Sequence, residues 1–456
     1  MKLNDYASLL GKGDFSDIYL EESAGLSLRW EDKRLDNVSI TEESGAGLRF
    51  FSGQETRYGH LDLGQPVDGP STDGLLRLSR LRDGLTRGLK DLVLTPIGNI
   101  ATAAHPLKIA AADVPLEKKI DILRRAYAAA QVSPHIRQIS INYGEKAKRI
   151  GYLNSDGEAF VEKRTYVVFS LTVTVQRGAE MQTAYDSLGG IGGLEWFEGG
   201  AIERLAAAVG KRAHDKLDAP SAPAGEMAVI VAASAGGTLI HEAIGHSLEA
   251  DAVLEGTSPA YIGKVGTAVA NPKLTVYDNP TVPGARGSFH FDDEGTHAEA
   301  TKLIENGVLR DYLWDRLSAR RAGRKSNGHG RRESYAHRPI PRMSNTYIAP
   351  GPDDPADILK SMPNGLLVTK MGGGQVNPAN GDFVFEVEEG FVLKDGQRTL
   401  VRGTTLLGNG PETLNRIDLV GSDHGWGIGT CGKEGQGVPV GDALPTVRIT
   451  KIVVGG

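Results

Sequence analysis

The sequence predicts an α+β protein in two parts: an N-terminal mixed α/β two-layer domain and a C-terminal domain dominated by antiparallel β structure. Three observations predict it. Short runs rich in β-branched and aromatic residues alternate with turn residues near the N-terminus. Amphipathic helical patterns follow them. After about Ala260 the chain is dense in Gly, Asn, Asp and Pro, with β-like pieces between.

The first runs are SDIYLEE from Ser16, LSLRWED from Leu26, NVSITEE from Asn37, GLRFFSG from Gly47 and TRYGHLDL from Thr56, which read as a meander of short strands. Helical patterns cover Asp73 to Leu85 and Leu116 to Gln131, the second ending before Ser133-Pro134. Strands are expected over Ile136–Tyr143 and Thr165–Gln176, and a helix from Gly200 to Leu217. The Pro/Ala/Ser stretch Asp218–Gly225 is the clearest linker, so domains are placed at residues 1–220 and 225–456. The second half opens with the apolar run Met227–Ala233, then a helical pattern from Thr238, and later the β-like pieces Asp382–Leu393 and Thr446–Val454. No fixed-period repeat of solenoid or propeller type is present.

Composition excludes several function classes. With 456 residues, 40% hydrophobic, 24% charged and a net charge of -6, the chain is globular and has no general attraction for phosphate backbones or anionic lipid. Nucleic acid is therefore not an expected partner. The longest apolar stretch, Met227 to Ile240, contains Ser, Thr and two Gly and falls short of the roughly 18 residues a membrane span needs. Asp5 and Asp14 lie where a secretory signal would be apolar, and a single cysteine, Cys431, fits a reducing compartment, so a cytoplasmic location is expected.

The informative segment is TLIHEAIGHSLEAD, Thr238 to Asp251, with Thr238 as a candidate N-cap. Ile240, Ile244 and Leu248 fall on one stripe, while His241, Glu242, Gly245, His246 and Glu249 share the opposite face. The zinc-hydrolase pattern H-E-x-x-H places its histidines at i, i+4; here the interval is one residue longer. An ideal helix would set the two imidazoles about 140° apart, so chelation requires converging side chains or a π-bulge, for which Gly245 is the easiest position. Glu242 would then stand beside a metal without ligating it.

Catalytic zinc usually takes three protein ligands, and Cys431, 185 residues past His246 in a glycine-dense segment, is the natural third. A thiolate with two imidazoles suits Zn²⁺, with Fe²⁺ or Co²⁺ also possible. The C-terminal domain thus carries a metal-binding helix. Glu249 and Asp251 are candidate acceptors for the histidine N–H groups. A purely structural zinc would instead recruit Glu249, Asp251 or His424 as a fourth ligand, and a lone cysteine is often simply an apolar filler.

Three other features carry less. GIGTCGKE, Gly427–Glu434, approximates a phosphate-binding loop but has Glu434 where Ser or Thr should hold Mg²⁺; its glycines are expected to shape the loop bearing Cys431. Arg316–Arg338 holds eight basic residues and one acidic one, and reads as a mobile loop near the substrate cleft. Asp292, Asp293 and Glu294 lack the spaced loop of a calcium site and read as structural or as part of the groove.

The HExxxH segment with its distant cysteine resembles the TldD/PmbA family, specifically its TldD-type metalloprotease branch. GAGLRFFSGQETRYGH near Gly45, GSFHFDDEGTHA near Gly287, RPIPRMSNTYIAPG near Arg338, MGGGQVNPANGDFVFEVEEG near Met371 and GTCGKEGQGVPVG near Gly429 resemble family signatures in the expected order. The resemblance implies that His241, His246 and Cys431 ligate one zinc per active subunit and that Glu242 is the catalytic glutamate. It also implies a dimer, with a TldE/PmbA-like paralogue or with itself, acting on peptides or unfolded segments. The family's older label of gyrase modulator implies the alternative, a regulatory or binding protein with a structural metal.

Overall fold

Three long strands, rather than five short ones, begin the fold. β1 (Phe15–Glu31), β2 (Arg34–Ser52) and β3 (Glu55–Asp62) form an antiparallel meander. The expected break between the first two runs is absent because β1 is paired on both edges there: Ala24 faces Glu42 on one side and Ala147 on the other. Ladder pairing overrides the weak strand preference of Ser, Ala and Gly. The computed structural model describes residues 2–64, 71–377 and 379–455; Pro378, inside the signature beginning at Met371, lies outside them.

Next come α1 (Thr72–Leu85), capped by the Ser71 side chain accepting from the Gly74 N–H, then β4 (Ala101–Ala104) and α2 (Leu116–Ala130). They are followed by β5 (Ile136–Asn154), β6 (Ala159–Arg177), β7 (Glu180–Ile191) and α3 (Ala201–Asp215). The sheet runs β3-β2-β1-β5-β6-β4, with β7 also pairing β6. One face is covered by α2 and α3, whose Leu123, Ala126, Ile202 and Val209 pack on Ile141, Phe169, Leu171 and Val173. Burial contributes about 1.5–3 kcal/mol for each large apolar side chain. The sequence reading has no counterpart for β7, a largely polar strand that lacks a buried apolar alternation.

The second half runs through β8 (Gly225–Val231), the helical segment after Thr238, β9 (Val276–Asp278), β10 (Thr301–Glu305) and β11 (Val308–Leu309). A two-residue pair, β12 (Gly330–Arg331) with β13 (Ile340–Pro341), precedes β14 (Asn345–Ile348), β15 (Gly365–Asn377) and β16 (Asp382–Lys394). The chain ends with β17 (Gln397–Val401), β18 (Thr404–Asn409), β19 (Ile417–Val420), β20 (Gly425–Lys433), β21 (Gln436–Leu444) and β22 (Val447–Gly455). One sheet runs β15-β8-β22-β18-β16-β17, and β16 pairs back onto β15, closing five strands into a small barrel. The other runs β11-β10-β9-β14-β21-β20 and ends on β20. Only β8/β15 and β14/β21 among these ladders are parallel, so the half is predominantly antiparallel. Ile240, Ile244 and Leu248 are buried in the core shared by the barrel and this sheet.

Buried ions join the halves. Arg49 binds both Asp17 and Glu294, and Arg164 binds Glu162 at 2.8 Å and Asp293 at 2.9 Å. Asp292 accepts backbone N–H groups from Glu294, Thr296 and Gly330. The acidic trio is therefore structural, and none of the three lines the cavity shared by His241 and Cys431. The basic segment is not a mobile loop: Arg331 and Arg332 are buried, donating to Pro439 O at 2.8 Å and to Asp293 O at 2.9 Å. These guanidinium groups donate to backbone carbonyls inside the fold, which fixes the chain that carries them. No helix among the described residues is long and apolar enough to cross a membrane.

Candidate metal centre

The segment from Thr238 changes helical type three times. An α-turn over Thr238–Ile240 passes into a π-helical turn, His241–Gly245, then a 3-10 turn, His246–Leu248; Glu249 breaks it with φ −68 and ψ 127, and Ala250–Leu254 resumes. The cap is Gly237, not Thr238, and its N–H donates to Asp442 Oδ1 at 2.8 Å. A π-turn brings residues five apart to one side, so the His241 and His246 rings meet edge to face with centroids 5.3 Å apart and planes at 89°. Gly245 does not supply unusual backbone freedom, since its φ of −54 suits any residue. Packing favours the glycine: a Cβ there would fall 1.9 Å from Met343 Sδ, so the methionine side chain would have to shift.

Cys431 comes from a strand rather than the expected loop. It sits on β20, opposite Val438 of β21, and is buried. Its Sγ lies 3.5 Å from His246 Nε2, and one ligand atom from each of His241, His246 and Cys431 lies within 4.8 Å of the others. Tetrahedral zinc with its usual Zn–N and Zn–S bonds would separate a nitrogen from a sulfur by about 3.6 Å. His241 Nδ1 is buried with no hydrogen-bond partner among the described residues, a cost that a cation coordinated at that nitrogen would remove. Donor chemistry, spacing and the orphaned nitrogen all fit zinc. His424 stands apart, its ring packed 5.4 Å from Tyr347 and 5.3 Å from Trp426.

Charge is arranged around these atoms. Burial pushes the Cys431 thiol up, but hydrogen bonds from His241 and His246 and their charge outweigh it and bring it to about 5. Burial lowers His246, yet the Glu249 carboxylate and Cys431 hold it well above the ordinary imidazole value. His246 Nδ1 lies 3.1 Å from Glu249 Oε2. Glu249 is pulled down to about 2, against the effect of burial, by Lys433, His246 and Arg342. Asp251 does not reach a histidine; it takes Lys433 Nζ on both oxygens at 2.7 Å. Glu242, beside the three, is raised chiefly by burial.

His241, Glu242, His246 and Cys431 all line one cavity of about 1180 Å³, larger than the roughly 300–1,000 Å³ of ordinary small-molecule pockets. Its walls come from both halves, with Tyr185–Gly189 and Trp196 from the first and Gly372–Gln375 and Trp426–Lys433 from the second. Sequence reasoning missed Lys433 and Asp442. Lys433 had a signal: two residues beyond Cys431 on a strand, it shares that residue's face. Asp442 had none, because only the fold brings it to Gly237.

Family models described as PmbA/TldA metallopeptidase domain 1, central domain and C-terminal domain match residues 16–77, 109–217 and 224–456. The chain is 34% identical to the metalloprotease TldD homolog of Haemophilus influenzae, over 97% of this chain and 93% of that protein. It is 30% identical to the zinc metalloprotease TldD homolog of Saccharolobus solfataricus, over 75% and 76% of the two chains. In fold it is similar to the crystal structure of TldE from Thermococcus kodakarensis, with a TM-score of 0.75, 17% identity and 97% of each chain covered.

Proposed function

The chain belongs to the PmbA/TldD family of metallopeptidases, and from that premise we propose that it hydrolyses peptide bonds in peptides or unfolded segments, using one zinc ion held by His241, His246 and Cys431. The observation that carries this reading is the 3.5 Å approach of Cys431 Sγ to His246 Nε2 with Glu242 on the same cavity wall. Zinc bound there would acidify a water and polarise the scissile carbonyl.

The chain's own residues supply the rest. Glu242 takes the proton from the attacking water onto its carboxylate and delivers it to the leaving amine, and burial raises its proton affinity toward that task. Glu249 fixes the His246 ring by accepting from Nδ1, and Lys433 fixes Glu249 at 3.1 Å. The barrel half, residues 225–456, is proposed as the metallopeptidase domain, while the α+β half, residues 1–220, walls the cavity.

Substrate is proposed to bind as an added strand. β20 is the last strand of its sheet and its residues Trp426–Lys433 line the cavity, so its backbone offers donors and acceptors without regard to side-chain identity. Fast cleavage of backbone N-methylated peptides would count against this mode. The active form is proposed as a cytoplasmic dimer, with a TldE-like paralogue or with itself. The deciding experiment is Glu242→Gln: peptide hydrolysis should be lost with zinc retained, and hydrolysis surviving with zinc still bound would overturn the mechanism.

A further inference from the structure

Glu162 stands at a second junction of imidazoles, away from the cavity. It lies on β6, fully buried, and its two oxygens have different partners. Oε2 accepts from Arg164 Nη2 at 2.8 Å and Nε at 3.1 Å. Oε1 accepts the His290 backbone N–H at 2.7 Å and lies 3.1 Å from His290 Nδ1 and 3.7 Å from His105 Nε2. Burial pushes this carboxyl up, but the Arg164 charge and the two imidazoles outweigh it and hold it well below the usual carboxylate range. The two rings lie close together, tilted by 47°, with centroids 4.4 Å apart.

A hydrogen-bonded knot does not account for this arrangement. His105 Nε2 is buried and has no hydrogen-bond partner among the described residues, and 3.7 Å is too long for it to bond Glu162. One nitrogen from each ring and a Glu162 carboxylate oxygen nevertheless all lie within 4.8 Å of one another. A tetrahedral metal with N and O bonds near 2.0–2.1 Å separates its ligand atoms by about 3.3 Å, between the observed 3.1 and 3.7 Å. The His290 side chain is 41% exposed, leaving an open side for water. Arg164 anchors the carboxylate and is itself balanced by Asp293 at 2.9 Å.

We propose that His105, Glu162 and His290 form a second site for a divalent transition metal of the zinc class, separate from the His241, His246 and Cys431 centre. Two imidazoles with one carboxylate is a donor set such ions favour. The three residues come from distant parts of the chain. His105 follows β4, whose Ala103 pairs with Glu162 in β6, whereas His290 belongs to the second half between β9 and β10. A metal here clasps the N-terminal sheet to the barrel half. The site does not depend on the peptidase reading.

Cobalt(II) titration of the chelator-treated full-length protein tests it. The wild type should take two equivalents, one with the sulfur-to-cobalt charge-transfer band and one without. Cys431→Ser should keep the equivalent that lacks the band. His290→Gln and His105→Gln, checked for folding by circular dichroism, should each keep the band and bind the other equivalent at least 100-fold more weakly. A single equivalent in the wild type at tens of micromolar cobalt that carries the band, or two equivalents surviving in both histidine variants, overturns the proposal.

Discussion

Cys431 Sγ and His246 Nε2 stand 3.5 Å apart although 185 residues separate them in the chain. Without metal, the imidazoles hold that thiol as a thiolate down to about pH 5, because their charge and hydrogen bonds outweigh burial. As pH rises through about 5 the sulfur loses its proton, while His246, raised well above its ordinary value, keeps its own. Thiolate absorbance of the metal-free protein should therefore appear with a midpoint near pH 5. At pH 7 zinc should displace protons from imidazole rather than from sulfur, which calorimetry in buffers of different ionisation enthalpy measures. A midpoint near 9 would refute the arrangement.

Glu249 is the only carboxylate hydrogen-bonded to His246 among the described residues, and Lys433 and Arg342 hold it ionised. Glu249→Gln removes the charge and leaves a weaker acceptor. Partners of this kind are worth about 10–100-fold in metal affinity. Zinc competition against a chromophoric chelator should show that loss, with the far-ultraviolet circular dichroism unchanged.

Much of the candidate site was legible in the sequence because the pattern was local. His241, Glu242 and His246 fall within six residues, and of the two arrangements their five-residue interval allows, converging side chains or a π-bulge, the structure has the π-turn. Other features depend on partners far away in the chain. The strand through Ser23–Gly25 exists because β2 and β5 flank it, and the buried state of Arg331 and Arg332 exists because Pro439 and Asp293 accept from them. A run of arginines reads as solvent-exposed until the acceptors are known. The glycine-rich stretch around Cys431 likewise reads as a loop, yet β21 pairs it into a strand.

Gly245 gives a packing test. Gly245→Ala would drive a methyl group into Met343 Sδ, which a Cβ would meet at 1.9 Å. Overpacking of this kind costs about 1–3 kcal/mol, and it acts on the turn that aligns the histidines, so zinc affinity should fall with stability. Combining it with Met343→Ala should cost less than the two single changes summed, a favourable coupling that urea denaturation can read. Strict additivity would show that the contact is relieved elsewhere.

Arg49 tests how the halves are joined. It is buried, and its guanidinium pairs with Asp17 of β1 and Glu294 of the second half. Asp17 also accepts from Tyr152 Oη at 3.1 Å, and Glu294 accepts the Arg316 N–H at 2.5 Å, so neither carboxylate lacks other bonds, but both lose their shared cation in Arg49→Met. Breaking a buried ion pair from one side costs about 3–5 kcal/mol, because the charge left behind stays desolvated. Neutralising that charge should therefore return part of the loss: Arg49→Met with Glu294→Gln should be more stable than Arg49→Met alone, although Glu294→Gln in the wild type should be destabilising. That reversal of sign, measured by denaturant midpoints, separates a compensated buried charge from simple loss of side-chain volume, for which the second substitution would be destabilising in both backgrounds.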